Sequence, residues 1–432
     1  MSISRKLLLF AALPLLYAGF LASCARKERN LIFIAVDDMR ADRLSCYGYA
    51  RPTTPNLDRI ASESAVYRTA VSPSSWTLPV FASVFTSVYP HEHGLVNKSR
   101  ISLALQKLIP AAIPKNLVTL PEYLKEQGYR TAAFTGGAAL SSEYGFGRGF
   151  DVFSPTADFG SIAESFAKAE KWLSGTGEKP FFLFVHGYDL HSRSGLVPVK
   201  PVFSAKKDRR SLLALMARRE KLRSLSDRGG PPAPAAELAA ISDLYDDRIA
   251  GVDAEIGAFL SFLRGKGLLE NSVLVIFSDH GEEFGEHGSV GHGRNLYDET
   301  VRVPLIVRVP GAAPRAVAEQ VSLLDLFPTS AGLLGLELTG SLKKQLRGRY
   351  VYPGGKDAVA CRDAFGETEY LLYVHRSALR SCRREKYIFD ELTGEAEVYD
   401  LAADPGEKRS VYGRNGDADY ELEAGLFSWK TR

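Results

Sequence analysis

The sequence lacks several features that mark particular classes of protein. It has only four cysteines, no internal repeat and no apolar run beyond Phe20 that is long enough to span a membrane. Neither sign of charge is in excess, since 54 lysines and arginines face 51 aspartates and glutamates, for a formal net charge of +3. A nearly neutral chain gives no basis for binding nucleic acid or for polybasic attachment to a membrane. Apolar residues are plentiful, and 45% of 432 residues is ample for a globular core.

The amino-terminal segment has the parts of a secretory signal. Arg5 and Lys6 form a positive region, residues 7–20 form an apolar region, and Leu21-Ala22-Ser23 places small residues before Cys24. This ending resembles the lipobox of bacterial lipoproteins, which implies cleavage before Cys24 and lipidation of its thiol. The alternatives are a plain cleaved signal and a signal anchor, although the apolar run is short for a spanning helix. We therefore expect an extracytoplasmic bacterial lipoprotein, on the periplasmic side of the inner or outer membrane or at the cell surface.

The other cysteines divide into one candidate pair and one single residue. Cys361 and Cys382 fall in the same carboxy-terminal stretch and could pair in an oxidising compartment, although the sequence does not establish the connectivity. Cys46 is left without a partner. We expect it to be a small packed residue rather than a nucleophile.

Apolar strands and amphipathic helices alternate from residue 30 to about residue 335. Strands are predicted at 30–36, 130–134, 180–186, 272–277 and 303–309, and helices at 56–64, 80–87, 119–127, 161–173 and 236–264. Strand, helix and strand in succession predict an α/β fold, in which a mainly parallel central sheet carries helices on both faces.

Two segments depart from this alternation. Residues 204–234 crowd nine lysines and arginines ahead of a Gly-Gly-Pro-Pro run, and they form either a solvated helix with an exposed loop or a mobile flap that admits an anionic or lipid-headgroup substrate. After residue 340, short strands at 370–374 and 386–389 indicate a small antiparallel sheet. We therefore predict a signal peptide at 1–23, a catalytic α/β domain at 24–340 that contains the 204–234 insertion, and a small subdomain at 341–432.

Two of the predicted strands end in clusters of metal-ligand residues. The strand 30–36 is followed by Asp37 and Asp38, and the strand 272–277 is followed by Ser278, Asp279 and His280. Ligands of open α/β sheets bind beyond the carboxyl ends of the strands, so these side chains are expected to meet there. Buried carboxylates repel one another, and a divalent cation relieves that repulsion. The alternative is two strand ends that merely begin polar loops.

The histidines also point to a single site. Only His375 of the eight lies outside a motif-like segment. The other seven lie near predicted strand ends or in adjoining loops, at positions 91, 93, 186, 191, 280, 287 and 292.

These segments together resemble the sulfatase family, within the alkaline phosphatase superfamily. The matching stretches are residues 30–61, SWTLPVFASVFTSVYPHEHG (75–94), GYRTAAFTGG (128–137), GFGRGFD (145–151), PFFLFVHGYDLH (180–191), SDHGEEFGEHGSVGHGRNLYDETVRVPLIV (278–307), LLDLFPT (323–329) and VYDLAADPGE (398–407). They occur in the family's order and cover most of residues 30–410. The resemblance implies an ester hydrolase with one divalent metal ion, which is Ca²⁺ in most of the family.

The resemblance also assigns roles to residues of this chain. The positions that match the family's metal ligands are Asp37, Asp38, Asp279 and His280. Thr77 falls on the nucleophile position, and His191 and His292 fall where the family places groups around the anion and the leaving oxygen. Arg294 is a further candidate for binding the substrate.

The nucleophile position differs from the family pattern. Most sulfatases carry Cys or Ser there, within C/S-x-P-x-R, and oxidise it to formylglycine. This chain reads Thr77-Leu78-Pro79-Val80-Phe81, so we expect no formylglycine. A threonine nucleophile instead resembles the branch of phosphodiesterases, nucleotide pyrophosphatases and envelope phosphoglycerol or phosphoethanolamine transferases.

The charged partners of the anion differ as well. Phe81 replaces the family's arginine, and the segment Phe134-Thr135-Gly136-Gly137 lacks the lysine and histidine of many sulfatases. Loss of two cationic positions disfavours doubly charged free sulfate or a phosphate monoester, whereas a phosphodiester carries one charge. His280 replaces the usual Asn of calcium-dependent members, and imidazole suits Mn²⁺ or Zn²⁺ better than Ca²⁺.

The sequence therefore predicts a metal-dependent hydrolase of sulfate or phosphate (di)esters, with Thr77 as nucleophile. Its substrate is expected to be a small-molecule, glycan or lipid-headgroup ester. The alternatives are a phosphoglycerol or phosphoethanolamine-type transferase and a degenerate member that binds an anionic glycan without turning it over.

Overall fold

The computed structural model describes residues 29–102, 107–156, 158–175, 177, 179–194, 201–204, 208–354, 360–371 and 373–431. The predicted signal segment and Cys24 lie outside the described residues, as do Lys206 and Lys207 of the basic segment. None of the helices in the described part of the chain is both long and apolar enough to cross a membrane.

Seventeen strands form the sheets of the described chain. They are β1 (Asn30–Val36), β2 (Ala65–Val71), β3 (Ser99–Ser102), β4 (Lys107–Pro110), β5 (Arg130–Thr135), β6 (Val152–Pro155), β7 (Phe181–Gly187), β8 (Ser272–Phe277), β9 (Glu283–Phe284), β10 (Val290–Gly291), β11 (Arg302–Arg308), β12 (Arg315–Val317), β13 (Val321–Ser322), β14 (Ala364–Tyr370), β15 (Val374–Arg380), β16 (Glu385–Asp390) and β17 (Ala396–Asp400).

Eleven α-helices accompany the strands in the described residues. They are α1 (Pro55–Ala61), α2 (Thr77–Thr86), α3 (Pro90–His93), α4 (Leu120–Glu126), α5 (Ile162–Ser174), α6 (Arg209–Ser226), α7 (Ala235–Gly265), α8 (Asp298–Val301), α9 (Leu326–Leu334), α10 (Gly340–Gln345) and α11 (Gly416–Lys430). The five strands and five helices predicted from periodicity all occur, with ends that shift by up to three residues.

The central sheet has nine strands in the order β12-β2-β11-β8-β1-β7-β5-β6, and β13 also pairs with β2. Only β11 runs antiparallel to its neighbours, so the predicted mainly parallel sheet is confirmed. The centre of the sheet is β8-β1-β7, whose three strands are fully buried apolar runs. Both strands that carry the predicted metal ligands therefore lie side by side in the middle of the molecule.

Alternate side chains of β1 enter two separate cores, as the two-residue period of a strand requires. Leu31 and Phe33 join the core under α2, α4 and α9. Ile32 and Ile34 join the core under α1, α5 and α7. The expectation of helices on both faces is confirmed.

The carboxy-terminal segment forms a four-stranded antiparallel sheet, β14-β15-β16-β17, as expected. The prediction of one strand at 370–374 was wrong, because β14 ends at Tyr370 and β15 begins at Val374. A disulfide joins Cys361 to Cys382, with their Cα atoms 5.8 Å apart. Cys46 is free and half-buried, and burial raises the pKa of its thiol to about 12, which fits a packed residue rather than a nucleophile.

Candidate active site

The ends of β1 and β8 bring residues 242 positions apart into contact. Ala35 is opposite Phe277 in the parallel pair, so the loops that follow begin side by side. The Ser278 hydroxyl joins them: it donates to the Val36 carbonyl at 2.7 Å and accepts from the Met39 N–H at 2.9 Å. Asp38 adopts the left-handed region, with φ of 62°. The two predicted clusters thus converge at the carboxyl edge of the sheet.

Three fully buried side chains form a ligand set that fits a metal ion. One donor atom from each of Asp37, Asp279 and His280 lies within 4.8 Å of the others. Asp37 Oδ2 and both carboxylate oxygens of Asp279 are buried and have no hydrogen-bond partner. Burial and then repulsion from Asp38 and Asp279 raise the pKa of Asp37 well above its usual value. Unpartnered buried carboxylates are costly, so the donor set is chemically suited to a divalent cation.

The ring of His280 is oriented for this role. Its Nδ1 lies 3.0 Å from the Gly281 carbonyl, and its Nε2 lies 3.4 Å from Asp279 Oδ2. A carbonyl on one ring nitrogen fixes the tautomer and leaves the other nitrogen as the ligand atom. Burial lowers the pKa of His280, but the negative charge of Asp279 outweighs this effect and raises the pKa to about 9, so metal binding would have to release the ring proton.

Thr77 lies beside this ligand set. It is the first residue of α2, and the free N–H groups at a helix start favour an anion. Its hydroxyl donates to Asp37 Oδ1 at 2.9 Å and lies 3.3 Å from His280 Nε2. The predicted nucleophile therefore contacts two of the predicted metal ligands.

Two histidines face each other on the other side of the site. The ring centroids of His191 and His292 are 5.3 Å apart. His292 Nδ1 lies 2.8 Å from Asp38 Oδ1, and although burial lowers the pKa of His292, Asp38 raises it to about 10. Burial lowers the pKa of His191 well below its usual value, and its Nδ1 accepts the Arg193 N–H at 3.1 Å. The two histidines therefore differ in their affinity for a proton, since the pKa of His292 is raised and that of His191 is lowered.

The prediction that seven histidines share one site is only partly correct. His191, His280 and His292 meet, and His186 lies behind them with neither ring nitrogen hydrogen-bonded. The remaining three have partners elsewhere: His91 with Glu367, His93 with Ser83 and His287 with Glu299.

Phe81 points into the core rather than towards the anion. It is fully buried, and its ring centroid lies 5.5 Å from that of Phe184 and 5.2 Å from that of His186. The apolar neighbourhood leaves no place for a charged side chain at this position. The cationic position noted as missing from the sequence is therefore also missing from the site.

A cavity of about 510 Å³ opens above Thr77. Thr77, His191 and His292 reach it from the central domain. Other lining residues are aromatic or aliphatic (Trp76, Leu108, Ala138, Ala139, Phe159, Tyr188, Tyr370, Leu371) or polar (Asn97, Lys98, Ser99, Arg193, Arg223, Asp227). The predicted substrate-binding Arg294 is not among them, and its Nη1 is buried without a hydrogen-bond partner.

Sequence reasoning did not single out Arg223 of α6 or Tyr370 of the carboxy-terminal sheet as residues of the site. Arg223 lies on α6, in the basic segment, and Tyr370 is the last residue of β14. The Arg223 guanidinium donates to the Tyr370 hydroxyl at 3.1 Å. The basic run was the only signal for Arg223, and no local signal marked Tyr370.

Comparison with known proteins identifies the family of the chain. A family model described as Sulfatase matches residues 29–336. N-acetylglucosamine-6-O-sulfatase of Bacteroides thetaiotaomicron is 25% identical over 493 aligned residues, which cover 91% of this chain and 85% of that protein. Steryl-sulfatase of Mus musculus is 27% identical over 414 residues, which cover 77% of this chain and 66% of that protein.

Solved structures share the fold. One is a protein in complex with its substrate D-glucosamine-2-N,6-O-disulfate, with a TM-score of 0.71 at 21% identity, covering 94% of this chain and 98% of that one. Another is the phosphonate monoester hydrolase of Agrobacterium radiobacter, with a TM-score of 0.70 at 22% identity, covering 93% and 95% of the two chains. Since the family model spans well over half of its length and the relatives match most of it, the chain belongs to the sulfatase family and is an ester hydrolase.

Proposed function

We propose that the chain is a metal-dependent hydrolase of singly charged sulfate or phosphate esters, with Thr77 as its nucleophile. The observation that carries this proposal is the contact of Thr77 Oγ1 with Asp37 Oδ1, at 2.9 Å, at the floor of the cavity. A sulfate monoester and a phosphodiester each carry one negative charge, which suits a site where Phe81 replaces a cation. The named relatives act on a sulfated sugar and a steryl sulfate, so these are the first organic groups to test.

Asp37, Asp279 and His280 would hold the metal, with Asp38 as a further candidate ligand. When bound, a divalent cation supplies positive charge that polarises the ester oxygens and lowers the pKa of a nearby hydroxyl. The imidazole of His280 favours Mn²⁺ or Zn²⁺, whereas the family resemblance favours Ca²⁺.

The protein groups are placed for a two-step displacement. Thr77 Oγ1 gives its proton to Asp37 as it attacks sulfur or phosphorus, and the bond to the alcohol oxygen breaks. Charged His292 donates a proton to the departing oxygen. Neutral His191 then accepts a proton from the water that releases Thr77 from the covalent ester.

A transferase is the second candidate, and the rim of the cavity favours it. Leu108 and Leu371 line the cavity and are 64% and 43% exposed. Apolar side chains at the entrance suit a lipid or other large acceptor whose hydroxyl replaces water in the second step. Product analysis with and without an added acceptor alcohol separates transfer from hydrolysis.

The test uses the form that begins at Ala25, stripped of metal and reloaded with Ca²⁺, Mn²⁺ or Zn²⁺. It is assayed on aryl sulfate, aryl phosphate, bis-aryl phosphate and aryl phosphonate esters, beside Thr77→Ala. Turnover of the sulfate or the diester that depends on metal and on Thr77 is expected. Turnover that survives in Thr77→Ala, or a protein that retains no stoichiometric metal, contradicts the proposal and favours an anion-binding protein.

A further inference from the structure

The basic helix α6 sends one arginine into the interior of the site. Arg219 is only 3% exposed, whereas its neighbour Arg218 lies on the outer side and pairs with Glu237 at 2.6 Å. Burying a guanidinium costs several kcal/mol unless its charge and its N–H groups are paired. The partners of Arg219 therefore show what this burial achieves.

The guanidinium reaches three acceptors in different directions. Its Nη2 hydrogen-bonds Glu282 and lies 3.7 Å from Asp38 Oδ2. Its Nη1 donates to the backbone carbonyl of Leu190 at 2.6 Å. The rings of Tyr245 and Phe284 cover the group, with centroids 5.8 and 5.6 Å from its central carbon.

Each of these three acceptors is adjacent to one of the two histidines that line the cavity. Asp38 Oδ1 and Glu282 Oε2 lie 2.8 and 3.5 Å from His292 Nδ1. Leu190 directly precedes His191 in the chain. One side chain thus links the carboxylates that hold His292 to the backbone that carries His191.

We propose that Arg219 is a positioning residue, which keeps His191 and His292 facing each other above Thr77. Arg219 is not among the side chains that line the cavity, so it acts through the histidines and not on the substrate. Lysine cannot replace it, because an ammonium is a point charge and does not present a planar fork to separate acceptors. The inference rests on the proposed function, in which the two histidines move protons.

The experiment compares Arg219→Gln and Arg219→Lys with the control Arg218→Gln on the outer side of α6, all in the full metal-loaded chain. Loss of a positioned proton donor costs most when the departing alcohol is a poor leaving group. We expect kcat to fall about 100-fold on alkyl esters but tenfold or less on nitrophenyl esters, with KM changed by less than about threefold. Arg219→Lys should resemble Arg219→Gln, and Arg218→Gln should match the wild type. An equal loss of kcat on all leaving groups overturns the proposal.

A second readout does not depend on turnover. The ring ¹H–¹⁵N resonances of His191 and His292 should both move in Arg219→Gln, while Glu282→Gln, which removes one partner of Arg219, should move mainly those of His292. Metal content and melting temperature are measured on the same samples. Metal content should stay near the wild-type value, whereas the melting temperature should fall, because the buried Glu282 carboxylate loses its charge partner. Unmoved histidine resonances in a folded Arg219→Gln protein overturn the proposal. A wild type that turns over no ester would instead defeat the proposed function, and the resonance comparison would still test Arg219.

Discussion

Phe81 shows how one residue separates this chain from most of its family. It stands four positions after Thr77 on α2, which is one helical turn further on, and its side chain is enclosed by aromatic rings. A guanidinium at this position would be buried among Phe184, His186 and Phe277. Positive charge at the cavity wall therefore comes from other elements, and α6 supplies Arg223.

Restoring the family's arginine at position 81 should destabilise the protein. We expect Phe81→Arg to lower the free energy of unfolding by at least about 3 kcal/mol, because it buries an unpaired charge. The control Phe81→Leu should cost only about 1.5 kcal/mol, because it nearly conserves volume and polarity. Urea denaturation measures both. A Phe81→Arg variant as stable as the wild type, with improved sulfate turnover, would contradict this prediction. It would show that the residues around position 81 rearrange to accommodate the charge.

His93 should make stability depend on pH. Burial lowers its pKa to about 3 from the ordinary 6.5, and its Nδ1 accepts the Leu95 N–H at 3.0 Å. Between these two pKa values the unfolded chain binds a proton at His93 and the folded chain does not. The free energy of unfolding should therefore fall as the pH drops below 6.5. The slope from this residue is about 1.4 kcal/mol per pH unit.

The matched variant is His93→Asn, whose side-chain oxygen can accept from the same N–H but does not titrate. Denaturation between pH 4 and pH 7 should give a slope that is smaller by about 1.4 kcal/mol per pH unit than that of the wild type. Identical slopes for the two proteins would show that other buried groups dominate acid unfolding.

At the scale of elements, α6 shows how the arginines of the basic segment 204–234 are distributed. Its basic side chains lie on two faces. Arg219 and Arg223 are only 3% and 5% exposed and lie at the site, whereas Lys221 is exposed to solvent. Glu220 holds Arg223 through both carboxylate oxygens, at 2.9 and 3.0 Å. Helix α6 is thus not purely solvated, because Arg223 lines the cavity of the candidate active site.

Arg223 should matter for binding an anionic ester. Its Nη1 pairs with Asp227 Oδ2 at 3.0 Å, and both residues line the cavity, so Arg223→Gln leaves the Asp227 carboxylate facing the substrate. We expect KM to rise about tenfold, as for the loss of about 1.5 kcal/mol, with the largest effect at low salt. Lys221→Gln is the control and should be silent. A KM that is unchanged at low ionic strength would contradict this role.

The carboxy-terminal sheet is held by the Cys361–Cys382 disulfide, which spans 21 residues. Replacing both cysteines with serine should lower the free energy of unfolding by about 3 kcal/mol, through the greater freedom of the unfolded chain. Urea denaturation with and without reductant measures the effect. If reductant destabilises the double variant as much as the wild type, the disulfide is not the cause.

At the scale of the whole molecule, the predicted lipidation site Cys24 lies outside the described residues. We propose that its lipidation anchors the mature protein outside the cytoplasm. Expressed in a bacterium that matures lipoproteins, the wild type should partition into detergent, and Cys24→Ser should partition into the aqueous phase. A wild type that remains in the aqueous phase would favour a plain cleaved signal.

The division into domains at residue 340 stays a prediction, but the cavity depends on both parts. Tyr370 and Leu371, from the hairpin of the carboxy-terminal sheet, line it together with Thr77. A Cβ on Gly293, next to His292, would come within 2.7 Å of the Tyr370 ring, so this hairpin packs closely against the histidine loop. Residues on both sides of position 340 therefore build the cavity.

The sequence by itself determined the central strands and the residues that follow them. Buried parallel strands are local apolar runs, and their carboxyl ends must share one edge of the sheet, so Asp37, Asp279 and His280 could be placed together before any coordinates. Thr77 was found because a family motif surrounds it.

Only the tertiary structure decided which charges enter the site. Arg219, Arg223 and Tyr370 come from a helix and a sheet with no local mark of burial, and His91 and His287 proved to have partners elsewhere. Local periodicity reports which face of an element is apolar. It does not report which distant carboxylate or ring will pair with one arginine in a basic run, because that pairing exists only after the chain has folded.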